Sequence, residues 1–116
     1  MGQRNIHRLL QGPVGSVTQL TSTTTAVILN ALSGQITTLG GTLAAAGEET
    51  FTVTNSCVNA DSVVSVCIAT KSGTGFPVVL CSAVADGSFD ITVSNLHVSA
   101  ALNALVVINF IVLGGV

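Results

Sequence analysis

The hydrophobic residues of this chain follow a two-residue period in several short segments. In the segment 88–95, the apolar residues Phe89, Ile91 and Val93 alternate with polar residues, and the segment 50–56 alternates in the same way. Successive side chains of a β-strand point to opposite faces, so this pattern is typical of a strand with one buried and one exposed face. Both segments are therefore predicted to be half-exposed strands.

The longest apolar run, residues 104–113, differs from these segments because neither of its faces is polar. It is too short to span a bilayer, which takes about 20 residues in a helix. Its content of Val, Ile and Phe and the Gly-Gly pair that follows it predict a strand covered on both sides. One face carries Val106, Ile108, Phe110 and Val112, and the other carries Leu105, Val107, Asn109, Ile111 and Leu113.

Turn-forming residues divide the rest of the chain into segments of strand length. Strands are predicted at residues 17–20, 26–30, 35–39, 50–56, 62–69, 78–84, 88–95 and 104–113. Short strands at intervals of about 8 to 12 residues indicate an all-β sandwich or barrel. The predicted fold is all-β, an antiparallel, jelly-roll-like β-sandwich at residues 16–116, preceded by an extended or short-helical arm at residues 1–15.

A faint internal repeat predicts which strands are neighbours. The sequence F-T-V-T-N at 51–55 is echoed by F-D-I-T-V-S-N at 89–95, and a Val-Val pair follows each of them. Each half is interpreted as a hairpin, so we expect the segment 88–95 beside the final strand. The outward residues of the segment 88–95 are polar, so they provide no apolar partner for the face of the final strand that carries Val107 and Asn109. This face is therefore predicted to form an oligomer interface, in which Asn109 is hydrogen-bonded because a buried amide without partners is costly.

The amino-terminal arm combines basic and apolar residues. Ile6, Leu9 and Leu10 are spaced i, i+3, i+4, which predicts one short helical turn with an apolar face. So short a helix is marginal in water, and we expect it to become ordered only when it docks. The alternative is a frayed terminus without a role. The residues expected to dock are Arg4, Ile6, His7, Arg8, Leu9 and Leu10.

The chain has few charged residues for its hydrophobic content. Only 7% of its residues are charged and 48% are hydrophobic, whereas a soluble domain carries about 25% charged residues. This composition predicts burial against copies of the chain or against a larger partner. Two arginines are far fewer than the roughly six or more phosphate contacts of a nucleic-acid footprint, so no nucleic-acid partner is expected. No secretory leader or membrane segment is evident, which predicts folding in a cytosol.

Side chains able to carry out catalysis are sparse. A nucleophile with its base would need His97 beside Cys57, Cys67 or Cys81, but no spacing singles out one of these cysteines. The histidine is interpreted as a surface-loop residue and the cysteines as small buried apolar residues. We therefore predict no enzyme activity, cofactor, metal site or small-molecule substrate.

The carboxylates do not change this interpretation. Glu48 and Glu49 are adjacent and would point in opposite directions in a strand. Asp61, Asp86 and Asp90 lack the spacing of a calcium-binding loop. The chain also has no Trp or Tyr to stack on a sugar, so neither glycoside hydrolysis nor strong carbohydrate binding is expected.

Five segments, taken in order, resemble one family. They are G-S-V-T-Q-L-T-S-T-T-T-A-V-I-L-N, S-G-Q-I-T-T, L-A-A-A-G-E-E-T-F-T-V-T-N-S, G-S-F-D-I-T-V-S-N-L and V-I-N-F-I-V-L-G-G-V. Together they resemble a β-sandwich module of tailed-bacteriophage virion proteins, which occurs in capsid decoration (cement) proteins and at the ends of tail or head fibres. The resemblance covers residues 15–116, and the three cysteines and residues 1–13 depart from it.

This resemblance implies a non-enzymatic structural protein of the virion. As a cement protein it would be a homotrimer on the outer capsid surface, made in the cytoplasm of the host bacterium, that binds the major capsid protein and stabilises the assembled shell. The alternative is a receptor-binding or fibre-tip module. Such modules generally follow a long repetitive shaft, whereas only a short stretch precedes the module here, which favours the cement protein.

Overall fold

The computed structural model describes residues 14–114, which form eight β-strands in two sheets. The strands are β1 (Val14–Thr18), β2 (Val27–Ile28), β3 (Ser33–Thr37), β4 (Glu48–Thr54), β5 (Val63–Lys71), β6 (Pro77–Ala85), β7 (Ser88–Asn95) and β8 (Val106–Leu113). Sheet A has the order β1-β3-β8-β5 and sheet B the order β2-β4-β7-β6. The two sheets pack on a common apolar core, so the predicted all-β sandwich is confirmed. Within this described part, no helix is long and apolar enough to cross a membrane.

Most neighbouring strands are antiparallel, as predicted, but each sheet has one parallel pair at its edge. β1 runs parallel to β3, and β2 runs parallel to β4. The first of these pairs places Gly15 beside Gly34. A Cβ atom at Gly34 would lie 2.5 Å from the carbonyl oxygen of Gly15, closer than non-bonded atoms approach. Glycine is therefore required where these two strands meet.

Successive strands alternate between the two sheets, with one exception. Only β6 and β7, among the described strands, are consecutive in the chain and adjacent in one sheet. Their connection is the two-residue turn Asp86-Gly87, in which Gly87 has a φ of 82°. Asp-Gly is a favoured hairpin turn because glycine adopts positive φ without steric cost. The other connections cross from one sheet to the other.

The predicted position of the segment 88–95 beside the final strand is wrong. β7 pairs with β4 and β6, whereas β8 pairs with β3 and β5. The two predicted hairpins are wrong for the same reason, because β4 and β5 lie in different sheets, as do β7 and β8. The connections 55–62 and 96–105 carry the chain across the core and do not reverse it within a sheet. The two echoed sequences pair with each other instead, with Phe51 opposite Ile91.

The predicted core face of the final strand is confirmed. Val106, Ile108, Phe110 and Val112 are all buried. Phe110 meets Phe89 of β7 across the sandwich and not within a sheet. The two ring centroids are 5.4 Å apart and the rings are tilted by 55°, an arrangement that aromatic pairs favour.

Three amide side chains, Gln19, Asn55 and Asn95, have a solvent exposure of 0% and hold crossing connections in place. Asn95 makes the most contacts of the three. Its Nδ2 donates to the carbonyl oxygens of Leu43, Ala44 and Ala100, and its Oδ1 accepts the backbone N–H groups of Phe76 and His97. Leaving a buried polar group unpaired costs more than a typical hydrogen bond contributes, so this amide fixes the path of three connections.

Gln19 and Asn55 act in the same way elsewhere in the fold. Gln19 donates to two carbonyl groups of the 19–26 connection and accepts the N–H of Leu39. Asn55 donates to the carbonyl of Ala31 and accepts the N–H of the same residue. Each amide therefore joins segments that enter or leave different sheets.

Replacing Asn95 by alanine is expected to lower the free energy of unfolding by about 3 kcal/mol, because several backbone groups would be left unpaired in a buried site. Equilibrium unfolding in urea measures this value. The control is Asn30→Ala. Asn30 is exposed and accepts one hydrogen bond, from the N–H of Ser56, so its loss should cost less than about 1 kcal/mol. Equal costs in the two variants would contradict the role assigned to Asn95.

Candidate assembly surface

The side of sheet A that faces away from the core carries no charged residue. Strand alternation and register define this side, which we call the assembly surface. Its residues are Val14, Ser16, Thr18, Ser33, Gln35, Thr37, Val63, Ser65, Cys67, Thr70, Val107, Asn109, Ile111 and Leu113. Its exposed apolar side chains Val63, Ile111 and Leu113 group on β5 and β8, beside uncharged hydroxyl and amide groups on β1 and β3. It is therefore the candidate site for contact with another protein.

The structure brings most of the predicted interface residues together on this surface. Val107, Asn109, Ile111 and Leu113 all point outward from β8, and Ile111 and Leu113 are 37% and 48% exposed. Leu105 precedes β8 and lies at the end of the sandwich, outside the assembly surface.

The sequence interpretation missed the contribution of β5 to this surface. Val63 lies opposite Leu113 and is 63% exposed, so the two side chains form one apolar patch. The alternation of Val63, Ser65 and Cys67 indicates that they share a face. It does not indicate that this face adjoins that of β8.

Asn109 lies at the centre of the assembly surface, between Gln35 of β3 and Cys67 of β5. Its Oδ1 is the one buried side-chain oxygen or nitrogen without a hydrogen-bond partner among residues 14–114. Burying an acceptor without a partner costs about 1–3 kcal/mol. A donor from a second molecule would remove this cost.

The outward side of sheet B differs because its polar groups pair with one another. The hydroxyls of Thr50 and Thr92 lie 2.8 Å apart, and Thr92 donates to the hydroxyl of Ser82 at 2.9 Å. Thr52 donates to the carboxylate of Asp90 at 2.7 Å. This face carries charge and has satisfied hydroxyls, so it is suited to water. It also exposes Ile28, Val78 and Leu80, so exposed apolar area alone does not distinguish the two sheets. The unpaired Asn109 acceptor is what marks sheet A as the candidate.

The two ends of the sandwich are also different. Val14, where the described chain begins, lies next to Ser33, at the end where β8 finishes. At the opposite end, Phe76, Leu96 and Val98 expose apolar side chains, and the N–H of Leu96 donates to the carbonyl of Phe76. We call these three residues the tip. Val14 and the tip therefore lie at opposite ends of the domain.

The three cysteines are free, and they occupy different environments. The interpretation of all three as buried is wrong for Cys67, which is exposed because alternation along β5 turns it onto the assembly surface. Cys57 and Cys81 are half-buried. Burial raises the pKa of the Cys81 thiol, the hydrogen bond to the Ala83 carbonyl opposes this, and the nearby charge of Asp90 adds to it.

His97 lies in the connection between β7 and β8, as the surface-loop interpretation predicted, and is half-buried. Its Nδ1 accepts the backbone N–H groups of Ser99 and Ala100. No hydrogen bond joins it to a cysteine within the described part of the chain. The imidazole is therefore engaged in holding its own loop.

A small cleft between the two sheets lies at the same end as the tip. It has room for about one water molecule. Glu49 is the one charged residue of its lining, alongside Thr23, Thr38 and apolar side chains. No group of three His, Cys, Asp or Glu residues that could hold a metal ion occurs in the part of the chain that the structure describes.

The residues predicted to dock the arm lie outside the described residues. They are Arg4, Ile6, His7, Arg8, Leu9 and Leu10. β1 begins at Val14, so residues 14 and 15 of the predicted arm belong to the edge of sheet A.

No protein-family model matches this chain, and neither a curated protein nor a solved structure matches it. The strand pairing establishes the β-sandwich independently of such a match. The resemblance to phage virion modules stays a prediction.

Replacing Asn109 by leucine is expected to leave the unfolding free energy of the single chain unchanged, or to raise it by up to about 1 kcal/mol. The substitution removes an unpaired acceptor and adds apolar volume. The matched change Asn55→Leu removes a paired amide and should cost about 3 kcal/mol. Urea unfolding at a concentration where the chain is monomeric compares the two. A loss above about 1 kcal/mol for Asn109→Leu would show that this amide is satisfied within the chain.

Proposed function

We propose that this protein is a structural virion protein, a capsid decoration (cement) protein that binds an assembled phage capsid as a homotrimer and stabilises it. The observation that carries the proposal is the uncharged assembly surface, with the unpaired Oδ1 of Asn109 at its centre. Such a surface is suited to contact with protein because it leaves an acceptor that a partner can satisfy. The resemblance of the sequence to phage cement modules supports the identity of the assembly.

Other copies of the chain are the proposed occupants of the assembly surface. An amide both donates and accepts, so the Asn109 side chains of three copies around a threefold axis can hydrogen-bond in a closed ring. Identical copies meet without like-charge repulsion because the surface carries no charge. Val107, Ile111 and Leu113 add apolar area, which stabilises association by about 25 cal/mol per Å² removed from water.

The arm is the proposed contact with the major capsid protein. Arg4 and Arg8 would pair with capsid carboxylates, and Ile6, Leu9 and Leu10 would fill apolar grooves, with His7 between them. A ligand that binds the assembled shell and not its free subunits stabilises the shell by mass action. Three weak arm contacts act together when the trimer holds them at one site.

A receptor-binding or fibre-tip module is the second candidate, and the exposed tip favours it. Phe76, Leu96 and Val98 are presented at the end opposite Val14. In this alternative the arm attaches the chain to another virion protein, and the tip contacts the host surface. Quantitative gel analysis of purified particles distinguishes the two, because a cement protein is present in many copies per particle and a fibre tip in few.

Replacing Val107 by aspartate is expected to dissociate the homotrimer before it unfolds the domain. A charge placed without a partner in a buried contact costs about 3 kcal/mol or more, so the dissociation constant should rise by about 100-fold or more. Light scattering after size-exclusion chromatography measures the mass of the particle. The control is Leu80→Asp, which places the same charge on the outward side of sheet B, where Leu80 is 47% exposed.

Cys67 provides a second measurement of the same contact. In the trimer this thiol should be covered and alkylate slowly, whereas in the Val107→Asp variant it should react freely. The Leu80→Asp variant should retain both the trimer and the slow reaction. A trimeric Val107→Asp variant, or a Cys67 that reacts equally in both variants, would refute the interface.

Deleting residues 1–10 is expected to abolish capsid binding while the trimer stays folded. Cosedimentation with purified capsids measures binding. Within the full chain, Arg4→Gln combined with Arg8→Gln should weaken binding at least about tenfold, because two ion pairs are lost. The matched change of two uncharged arm residues, Gln3→Ala with Asn5→Ala, should not. Undiminished binding of the deletion variant would exclude the arm as the contact.

A further inference from the structure

A histidine closes a loop of the tip with the geometry that asparagine uses elsewhere in this chain. The Nδ1 of His97 accepts the N–H of Ser99 at 3.1 Å and the N–H of Ala100 at 2.8 Å. Both partners are donors, so Nδ1 carries no proton and the neutral ring holds its proton on Nε2. The closed loop therefore requires the neutral form of His97.

Three asparagines make the equivalent contact without a group that titrates. The Oδ1 atoms of Asn55, Asn59 and Asn95 each accept the N–H of the residue two positions later. Such turns normally use Asn, Asp, Ser or Thr as the local acceptor. His97 takes this place in the loop at the tip, where the acceptor can be lost by protonation.

We propose that His97 makes the tip sensitive to pH. A proton on Nδ1 would face two N–H donors, so the charged ring must leave both, and the segment 97–100 loses the side-chain acceptor that closes it. The proposal does not rest on the function proposed above, since it concerns only this loop and would apply to a cement protein and to a fibre tip alike.

The change would affect an exposed apolar side chain and leave the sheets in place. Val98, at 94% exposure, lies within the segment that His97 holds. Asn95 anchors the base of the loop, because its Nδ2 donates to the carbonyl of Ala100 at 2.9 Å and its other contacts do not involve the imidazole. Protonation therefore alters how Val98 is presented, and the core is unaffected.

The charged groups at this end of the sandwich make no hydrogen bond to the imidazole of His97 within the described residues. They are Lys71, Glu48 and Glu49. The ammonium of Lys71 donates to the carbonyls of Gly73 and Gly75 in the neighbouring connection. No hydrogen bond among residues 14–114 joins His97 to any of the three. The hydrogen bonds that the imidazole makes within the described residues are thus those from the two backbone donors.

The test follows the loop by nuclear magnetic resonance in the full chain between about pH 7.5 and pH 5.5, the range in which an imidazole usually titrates. Imidazole ¹⁵N shifts should show the Nε2–H form at the upper pH. As the ring becomes charged, the amide resonances of Ser99 and Ala100 should shift with it. Their protection from exchange, relative to the intrinsic rate at each pH, should fall about tenfold or more.

The variant His97→Asn keeps an acceptor for the loop and removes the group that binds a proton. Its Oδ1 takes the place of Nδ1 but does not bind a proton in this range, so the loop should stay closed and the pH dependence should vanish. The change His7→Asn, at the other histidine of the chain, should leave the tip as in the unmodified protein. Ser99 and Ala100 resonances that stay fixed while His97 titrates, or an unchanged pH dependence in His97→Asn, would overturn the proposal.

Discussion

The fold depends on buried amides that hold the chain where it crosses between sheets. Every connection except the one between β6 and β7 carries the chain from one sheet to the other. Each crossing brings backbone N–H and carbonyl groups against the core, where they need partners other than water. Gln19, Asn55 and Asn95 supply those partners from inside the sandwich. Apolar packing would stabilise any strand order that buries the inner faces of the two sheets. The hydrogen bonds of the three amides form only when the connections follow the observed paths.

The strands could be predicted from the sequence because each carries its own alternation of apolar and polar residues. All eight predicted segments overlap the observed strands, and Ser88–Asn95 has the same bounds in both. Strand order could not be predicted in this way, because alternation shows which face is buried and not which strand lies beside it. The two-residue turn Asp86-Gly87 does indicate that the strands on either side of it are neighbours, because Asp-Gly is suited to a hairpin and the longer connections are not.

The internal echo has a structural meaning that differs from the predicted one. Its two copies are partners in sheet B, and each ends in a buried asparagine that begins a crossing. Asn55 and Asn95 are the last residues of their copies of the echo, and each lies at the end of a strand and hydrogen-bonds the loop that follows. The sequence shows the recurrence, but the need for a buried amide there appears only once the two strands are seen to leave the sheet.

The assembly surface could be predicted in part. The alternation of β8 correctly separates its core face from Val107, Asn109, Ile111 and Leu113. The neighbours of Asn109 come from β3 and β5, which are distant in sequence, so its unpaired oxygen could not be foreseen. The pairing of hydroxyls on sheet B could not be predicted either, because β4 and β7 are also distant in sequence. Threonines occur on both sheets, and only the register of β4, β7 and β6 brings hydroxyls within hydrogen-bond distance of one another.

The position of β1 links the assembly surface to the arm. β1 is the edge strand of sheet A, so the chain enters the domain at the border of the surface proposed to hold three copies together. A threefold rotation keeps equivalent points at the same height along its axis. If the strands run along that axis, the three Val14 residues lie at one end of the trimer and the three tips lie at the other. Trimer formation would then bring the three copies of Val14 to the same end, while the His97 loops lie at the other end.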